Sequence, residues 1–352
     1  MALDRFVIPP AALLAKPFFQ DLPAWRIVEE VRAWVRDGNP TFTWYGHSHT
    51  MPRQGEPVDY IGDFKLPKGS EAPCPCCTPE TPKFNLGLVA WFPESKLVRL
   101  MGRHCFRRLN PKGHETAYRN LRDRQKGRAT LDYLLNNLPK RSQAQAAIER
   151  ALPIAQHLDD LQDILGYKLR AVLRINLWQV LRDGLKVATG IANKQFLTDY
   201  ANVEGLRLID PARKKIRASL ETAARGLADL DIPTDLSLAS EAERSVLARK
   251  YGRALSIARD AFSEIEQCKL FLSVQNTATI RAWGALPEAT VRLYIRRKGR
   301  SLMIGETEEE ARNIALDAAI DSPMPQLPEI SRCQGHGVHI TKASAISWTH
   351  QL

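Results

Sequence analysis

The sequence lacks the features that mark membrane and secreted proteins. None of its 352 residues lie in a run approaching the roughly 18–20 uninterrupted apolar residues that cross a bilayer. The first residues carry charges, two prolines (Pro9 and Pro10) and only a short apolar run, a poor match to a secretory signal. Of six cysteines, only Cys268 and Cys333 lie outside one short segment, which leaves little scope for structural disulfides. We therefore expect a protein of the reducing cytoplasm with no membrane partner.

Sequence motifs of the common enzyme classes are also missing. The chain has no phosphate-binding loop, no dinucleotide-binding glycine pattern, no H-E-x-x-H and no G-x-S-x-G. Pro73-Cys74-x-x-Cys77 matches the second half of the zinc-deaminase signature, but His47-Ser48-His49 has no glutamate where the first half needs one. No catalytic residue is predicted, so we expect a non-enzymatic protein, with a metal-dependent enzyme as the alternative.

A cysteine cluster is the most informative feature that the sequence does contain. Cys74-Pro75-Cys76-Cys77 is followed by Gly102-Arg103-His104-Cys105, with 27 residues between Cys77 and Cys105. Thiolates at C-x2-C spacing can reach one tetrahedral zinc from a tight turn, and a distant pair can complete the shell. The spacing predicts a structural Zn²⁺ site with Cys74, Cys77, Cys105 and His104 as ligands.

The fourth ligand is open at this stage. His104 is adjacent to Cys105, and neighbouring side chains diverge, so Cys76 is an alternative. His114 is another, provided that the helix breakers at 110–113 bring it back towards the site. The competing interpretation is that these cysteines are reduced, buried thiols.

Two further groups contain residues of metal-ligand type. His47 and His49 are possible donors to the main site. Cys333, His336 and His339 form a possible second site in a glycine-containing tail.

The segment between the cysteine pairs reads as a hairpin. Residues 84–92 are rich in β-forming residues and predict a first strand, and 93–96 predict a turn. Residues 97–101, which contain Val, Leu and Met, predict the returning strand, and a helical pattern begins after Gly102. This order resembles the treble-clef class of zinc modules over about residues 70–125. The resemblance implies a metal-stabilised hairpin packed against a helix.

Positive charge is concentrated beside this segment. The chain has a net charge of +11, and residues 96–141 contain thirteen Lys and Arg against three acidic residues. Such a cluster predicts contact with the phosphates of DNA or RNA, unless it is a solvated face or pairs with acids elsewhere in the fold. The residues predicted to make the contact are Arg103, Arg107, Arg108, Arg119, Arg122, Arg124, Lys126 and Arg128.

Long apolar repeats follow. Residues 155–187 have helical spacing, and residues 241–282 carry a heptad seam from Leu247 to Leu272. Two such helices would pack antiparallel as a coiled-coil hairpin, whose seam is either core or a surface for a homodimer or protein partner. Near the C-terminus, 290–304 read as a β-hairpin and 307–316 as a helix.

The sequence as a whole predicts a mainly α protein with small β elements. A zinc-bound β-hairpin module would sit on an elongated antiparallel helical or coiled-coil body, followed by a small C-terminal α+β domain. The expected domains are an α/β lead-in (1–72), the zinc module with its basic helix (73–138), the helical body (139–286) and the C-terminal hairpin, helix and tail (287–352). The predicted function is binding of nucleic acid or a nucleic-acid-containing complex, with a protein–protein adaptor as the alternative.

Overall fold

The computed structural model describes residues 5–108, 110–168, 176–191, 194–330, 338–340 and 346–348. It is 46% helical and 18% strand. The chain divides into two compact units, unit 1 from Met1 to Arg128 and unit 2 from Ala129 to Leu352. Each has its own hydrophobic core.

Unit 1 is built around a three-stranded antiparallel sheet in the order β1-β4-β5. Its strands β1, β4 and β5 span Asp59–Lys65, Leu86–Phe92 and Leu97–Gly102. The predicted hairpin is present as β4 and β5. Lys96 takes a positive φ of 55° in the turn between them. A second hairpin pairs β2 (Ala72–Cys74) with β3 (Thr78–Phe84).

Two helices belong to this sheet region. Helix α1 (Arg26–Arg36) buries Ile27, Val28, Val31 and Val35, which recur on one helical face and join the sheet residues in the core. Helix α2 spans Pro111–Asn137, so the division between the units falls within it. Its proline occupies the first helical position, where the missing N–H has no intrahelical role.

Unit 2 combines helices with small antiparallel sheets. Its helices α3 to α7 are Arg141–Asp163, Leu177–Leu181, Ile216–Ala228, Glu241–Phe271 and Val274–Gly284. Its strands β6 to β12 are Leu185–Ile191, Lys194–Ala201, Tyr294–Lys298, Ser301–Gly305, Arg312–Ala315, Val338–Ile340 and Ile346–Trp348. They pair as β6-β7, β10-β9-β8 and β11-β12.

Short helical turns join several of these elements. The 3₁₀ turns are Pro10–Leu13, Thr41–Thr43, Phe106–Arg108, Leu138–Lys140, Leu206–Leu208 and Ala318–Ile320. A π-helical turn at Ile164–Lys168 continues α3.

The predicted fold class is wrong in its central feature, the elongated coiled-coil body. The first of the two predicted long helices is not continuous over 155–187: α3 ends at Asp163 and its π-helical turn at Lys168, and α4 is a separate short helix. Residues 185–191 then form β6 after Gly184, which takes a φ of 84°. The second is interrupted between α6 and α7, where Ser273 caps a new helix. The seam residues of α6, including Tyr251 and Ile265, are buried in the core of unit 2 together with residues of α3 and α5.

The C-terminal prediction is half right. The hairpin is present as β8 and β9, with Gly299 at a positive φ of 56° in its turn. The predicted helix over 307–316 is wrong, because 312–315 form β10 and pair with β9. Backbone pairing with a neighbouring strand outweighs the helix-start pattern of Thr307 and the glutamates after it.

Candidate metal centre and basic surface

Three of the predicted ligands come together in unit 1. Cys74 ends β2, Cys77 lies in the turn before β3, and Cys105 lies in the turn after β5. Their sulfur atoms all lie within 4.8 Å of one another, and those of Cys77 and Cys105 are 3.3 Å apart. Thiolates bound to one tetrahedral ion at about 2.3 Å stand roughly 3.8 Å apart. The trio therefore fits a metal ion.

Two tight turns produce this arrangement. The Cys77 N–H donates to the Cys74 carbonyl at 3.3 Å, which closes the turn of the C-x2-C segment. The Cys105 N–H donates to the Gly102 carbonyl at 3.2 Å and closes the other turn. A Cβ on Gly102 would stand 3.3 Å from the Cys105 sulfur and 3.1 Å from Phe84. The absence of a side chain at Gly102 thus allows the β2-β3 hairpin and the β4-β5 hairpin to approach each other.

The thiols of the trio interact strongly even without an ion. A hydrogen bond with Cys105 lowers the pKa of Cys74 to about 6, against the opposing effect of burial, and backbone N–H groups assist. The same hydrogen bond raises the pKa of Cys105, which retains the shared proton. A metal ion bound here would displace that proton, so its affinity is expected to rise with pH.

None of the three alternatives for the fourth ligand joins the trio among the described residues. His104 is exposed on the turn beside Cys105. Cys76 is buried, and burial is the first cause that raises its pKa to about 12. His114 lies in α2, where its Nδ1 is 2.5 Å from the Tyr60 hydroxyl.

His47 and His49 are buried in a chain of hydrogen bonds. The Leu100 N–H donates to His47 Nδ1 at 3.0 Å, and His47 Nε2 lies 3.1 Å from His49 Nδ1. His49 Nε2 lies 2.7 Å from the Pro79 carbonyl oxygen, two residues beyond Cys77. Every ring nitrogen of the pair is thus occupied within the fold. His49 forms a hydrogen bond with the backbone of β3, and neither histidine belongs to the cysteine trio.

A buried ion pair, which the sequence did not reveal, removes one basic residue from the surface. Arg99 on β5 lies 3.7 Å from Glu56, with their side chains only 4% and 1% exposed. Glu56 also accepts hydrogen bonds from the Ser95 hydroxyl and the Arg53 N–H. Burial lowers the pKa of Arg99 to about 10. Glu56 is distant in sequence, so only the fold reveals the pairing.

The predicted phosphate-binding residues remain accessible. Among them, Arg107, Arg108, Arg119, Arg124, Lys126 and Arg128 are exposed, and Arg103 and Arg122 are half-buried. Within the described ranges, none of the seven arginines forms an ion pair with Asp or Glu. These arginines therefore have no direct carboxylate partner in this part of the chain.

Tyr118 organises part of this basic surface. Arg103 donates to its hydroxyl, and the guanidinium carbons of Arg103 and Arg122 lie 5.7 and 5.1 Å from its ring centre. His114 stacks on the same ring at 6.0 Å with an interplanar angle of 19°. Because guanidinium groups are attracted to aromatic faces, Tyr118 links the turn next to Cys105 to helix α2.

No protein-family model, curated protein or solved structure matches this chain. The resemblance to treble-clef modules therefore rests on the local order of three elements: the C-x2-C turn, the β4-β5 hairpin and helix α2. Among the described residues, every helix is too short or too polar to span a bilayer.

The predicted second metal site falls largely outside the described residues. Cys333 and His336 are not described, and His339 lies in β11, where only the backbone is described.

Proposed function

We propose that this chain is a non-enzymatic zinc protein that binds nucleic acid through the basic surface around Cys105 and helix α2. The observation that carries the proposal is the set of seven arginines that have no carboxylate partner among the described residues and that extend from the turn containing Cys105 along helix α2. Unneutralised, clustered arginines attract phosphate, whose charge and geometry suit guanidinium donors.

The proposal assigns zinc to the trio because a three-thiolate set favours that metal over Mg²⁺ or Ca²⁺, which prefer oxygen. A fourth ligand would come from His104, Cys76, His114 or water. Zinc would hold the β2-β3 turn to the turn after β5, and so fix the position of Arg103, Arg107 and Arg108. We assign the ion a structural role, because it would tie together two turns that are far apart in the sequence.

Contact with the backbone phosphates is expected to be largely independent of the base sequence of the nucleic acid. Phosphate contacts position a protein on nucleic acid, whereas side chains that reach base edges provide sequence specificity. The proposed surface consists mainly of arginines, so the proposal extends to DNA and RNA alike.

Charge reversal tests the proposal. Replacing Arg107, Arg119 and Arg122 with Glu should weaken binding to a fluorescent oligonucleotide by about tenfold or more and lower the slope of log affinity against log salt by about 2–3. The matched control replaces Arg249, Lys250 and Arg253 with Glu, since these exposed residues of α6 give the same charge change in unit 2. Fluorescence anisotropy over a salt series measures both quantities.

The outcomes separate the proposal from its main rival. Equal binding by the wild type and the first variant would place any interface elsewhere. A wild-type protein that binds no DNA or RNA at low salt would favour an acidic protein partner, which is the adaptor alternative. The heptad residues of α6 are buried in unit 2 and do not offer that partner a free surface.

A further inference from the structure

A pocket in unit 1 lies beside the basic face of α2. It has a volume of about 240 Å³ and is lined by Leu22, Pro23, Trp25, Ile61, Arg124, Gln125 and Arg128. The volume is below the range of about 300–1,000 Å³ typical of sites for drug-sized ligands, so the pocket suits a single flat ring system. Its walls are apolar and aromatic on one side and cationic on the other.

Helix α2 explains why the pocket is open. Ala117, Leu121, Arg124 and Arg128 recur at steps of four, three and four, so they share one face of the helix. The first two are buried in the core of unit 1, whereas the two arginines are exposed. Apolar residues at 124 and 128 would continue the packing, whereas the two arginines line the pocket together with Trp25 and Ile61.

Arg32 and Arg128 both lie near the Trp25 ring, and their guanidinium groups are held very differently. Arg32 lies 5.5 Å from the ring centre and bonds to Glu29 at 3.0 Å and to Asp63 at 3.1 Å. Arg128 lies 5.0 Å from the ring centre and has no carboxylate partner among the described residues. Arg32 pairs with Glu29 and Asp63, whereas Arg128 has no such partner in the described part of the chain. Arg128 can therefore leave the ring and pair with an incoming anion.

Arg124 supplies a second cation at the same place. Its Nη2 donates to the Tyr60 carbonyl at 2.5 Å, which anchors the side chain while the remaining N–H groups stay available. Asp63, the nearby acid, also accepts from Gln125 at 3.3 Å. The rim of the pocket therefore retains positive charge.

We infer that this pocket binds one unpaired nucleobase of a single-stranded DNA or RNA, with Arg124 and Arg128 on the flanking phosphates. The inference rests on the proposed nucleic-acid binding and adds a preference for single strands. A base in a duplex cannot enter the pocket, whereas an unpaired base can stack on Trp25 as Arg128 moves to a phosphate. Aromatic stacking of this kind is common to single-strand binders and tolerant of sequence.

A strand-preference experiment tests this inference. Anisotropy should show that a labelled single strand binds at least about tenfold more tightly than the same sequence as a duplex, which is within the contribution of one stacked base. Trp25→Leu should reduce that ratio towards one, and Trp25→Phe should retain most of it. The far-UV circular dichroism of both variants verifies the fold.

A second variant avoids any dependence on the folding of the tryptophan mutants. Leu22 is 48% exposed, so Leu22→Glu places a carboxylate at the pocket with little risk to the core. The matched control is Leu14→Glu, because Leu14 is also 48% exposed and does not line the pocket. Leu22→Glu should reduce the single-strand preference, and Leu14→Glu should leave it unchanged.

The results distinguish this inference from the function on which it rests. Equal binding of single strand and duplex, with no effect of Leu22→Glu, would overturn the pocket while leaving nucleic-acid binding intact. Binding of neither would refute the proposed function itself. Photocrosslinking of a strand carrying 5-iodouridine should label peptides containing 22–25 or 124–128; crosslinks confined to other peptides would also overturn the pocket.

Discussion

At the scale of single residues, the His47–His49 pair has its protonation state determined by its neighbours. The Leu100 N–H donates to His47 Nδ1, so the proton of neutral His47 lies on Nε2 and points to His49 Nδ1. The proton of His49 then lies on Nε2 and is donated to the Pro79 carbonyl. Adding a proton to either ring would make two donors face each other. Burial is the first cause that lowers the pKa of both histidines, that of His47 well below 6.5.

This pair predicts that acid destabilises unit 1. Unfolded histidines bind protons below about pH 6.5 while the folded pair resists them, so the free energy of unfolding falls as pH drops from about 7.5 to about 5. The slope contributed by each histidine reaches about 1.4 kcal/mol per pH unit. His49→Gln should make the pH dependence shallower by up to that amount, as measured by urea unfolding across this range. Identical slopes for wild type and variant would contradict the assignment.

At the scale of secondary-structure elements, a residue of one helix caps another. The N-cap position of α5, Lys215, makes no side-chain capping bond. The carboxylate of Asp159 on α3 instead accepts from the Ile216 and Arg217 N–H groups at 3.1 and 3.0 Å. It also pairs with Arg213 at 2.9 Å, and both side chains are almost fully buried. Asp159 thus fixes the start of α5 from 57 residues away in sequence.

We expect the replacement of Asp159 with Ala to destabilise unit 2 by about 3–5 kcal/mol, because it leaves the Arg213 charge buried without its partner. The matched control is Asp163→Ala, four residues later on the same helix. Asp163 pairs with Lys215 at 2.6 Å, but the two side chains are 49% and 43% exposed. An exposed pair contributes only about 0–1 kcal/mol. Chemical denaturation that shows equal losses for the two variants would contradict the burial argument.

The elements that sequence reasoning predicted correctly are those specified by local residues. The β4-β5 hairpin follows from its β-branched and large apolar side chains and the turn between them. Helix α6 begins at Glu241, as the apolar repeat predicted, and the structure adds a local signal that the prediction did not use, the capping box of Ser240 and Glu243. By contrast, β10 depends on pairing with β9, and the cap of α5 depends on Asp159. The residues of β10 do not by themselves reveal its partner strand, and those of α5 do not reveal the carboxylate that caps it.

At the scale of the whole molecule, helical spacing alone could not tell a coiled-coil arm from a helix packed in a compact core. The heptad positions of α6 are buried, as predicted for a seam, but they share one core with Leu161 of α3, Leu220 of α5 and Ile304 of β9. The period of an apolar pattern identifies the buried face and not the element that covers it. For the metal centre, the C-x2-C spacing and Cys105 were sufficient to identify three neighbouring thiols.

The proposed zinc site lies in one of two separate cores, so we expect loss of the ion to affect only that core. The trio lies wholly in unit 1, so Cys77→Ser should release about one equivalent of zinc and lower the stability of unit 1 by about 3–5 kcal/mol. Hydrogen exchange should then show lost protection in 59–102 and unchanged protection in 216–228 and 241–271. Native mass spectrometry measures the zinc.

Cys76→Ala is the matched control for this experiment. Cys76 is adjacent to Cys77 in sequence and is not part of the trio, so the variant should retain its zinc. Loss of zinc from both variants, with the circular dichroism of Cys76→Ala unchanged, would make Cys76 the fourth ligand. Retention of zinc by Cys77→Ser would instead contradict the assignment of the trio as a metal centre. Lost protection in α5 and α6 would show that the two cores unfold as one, since their residues share no ligand with the metal.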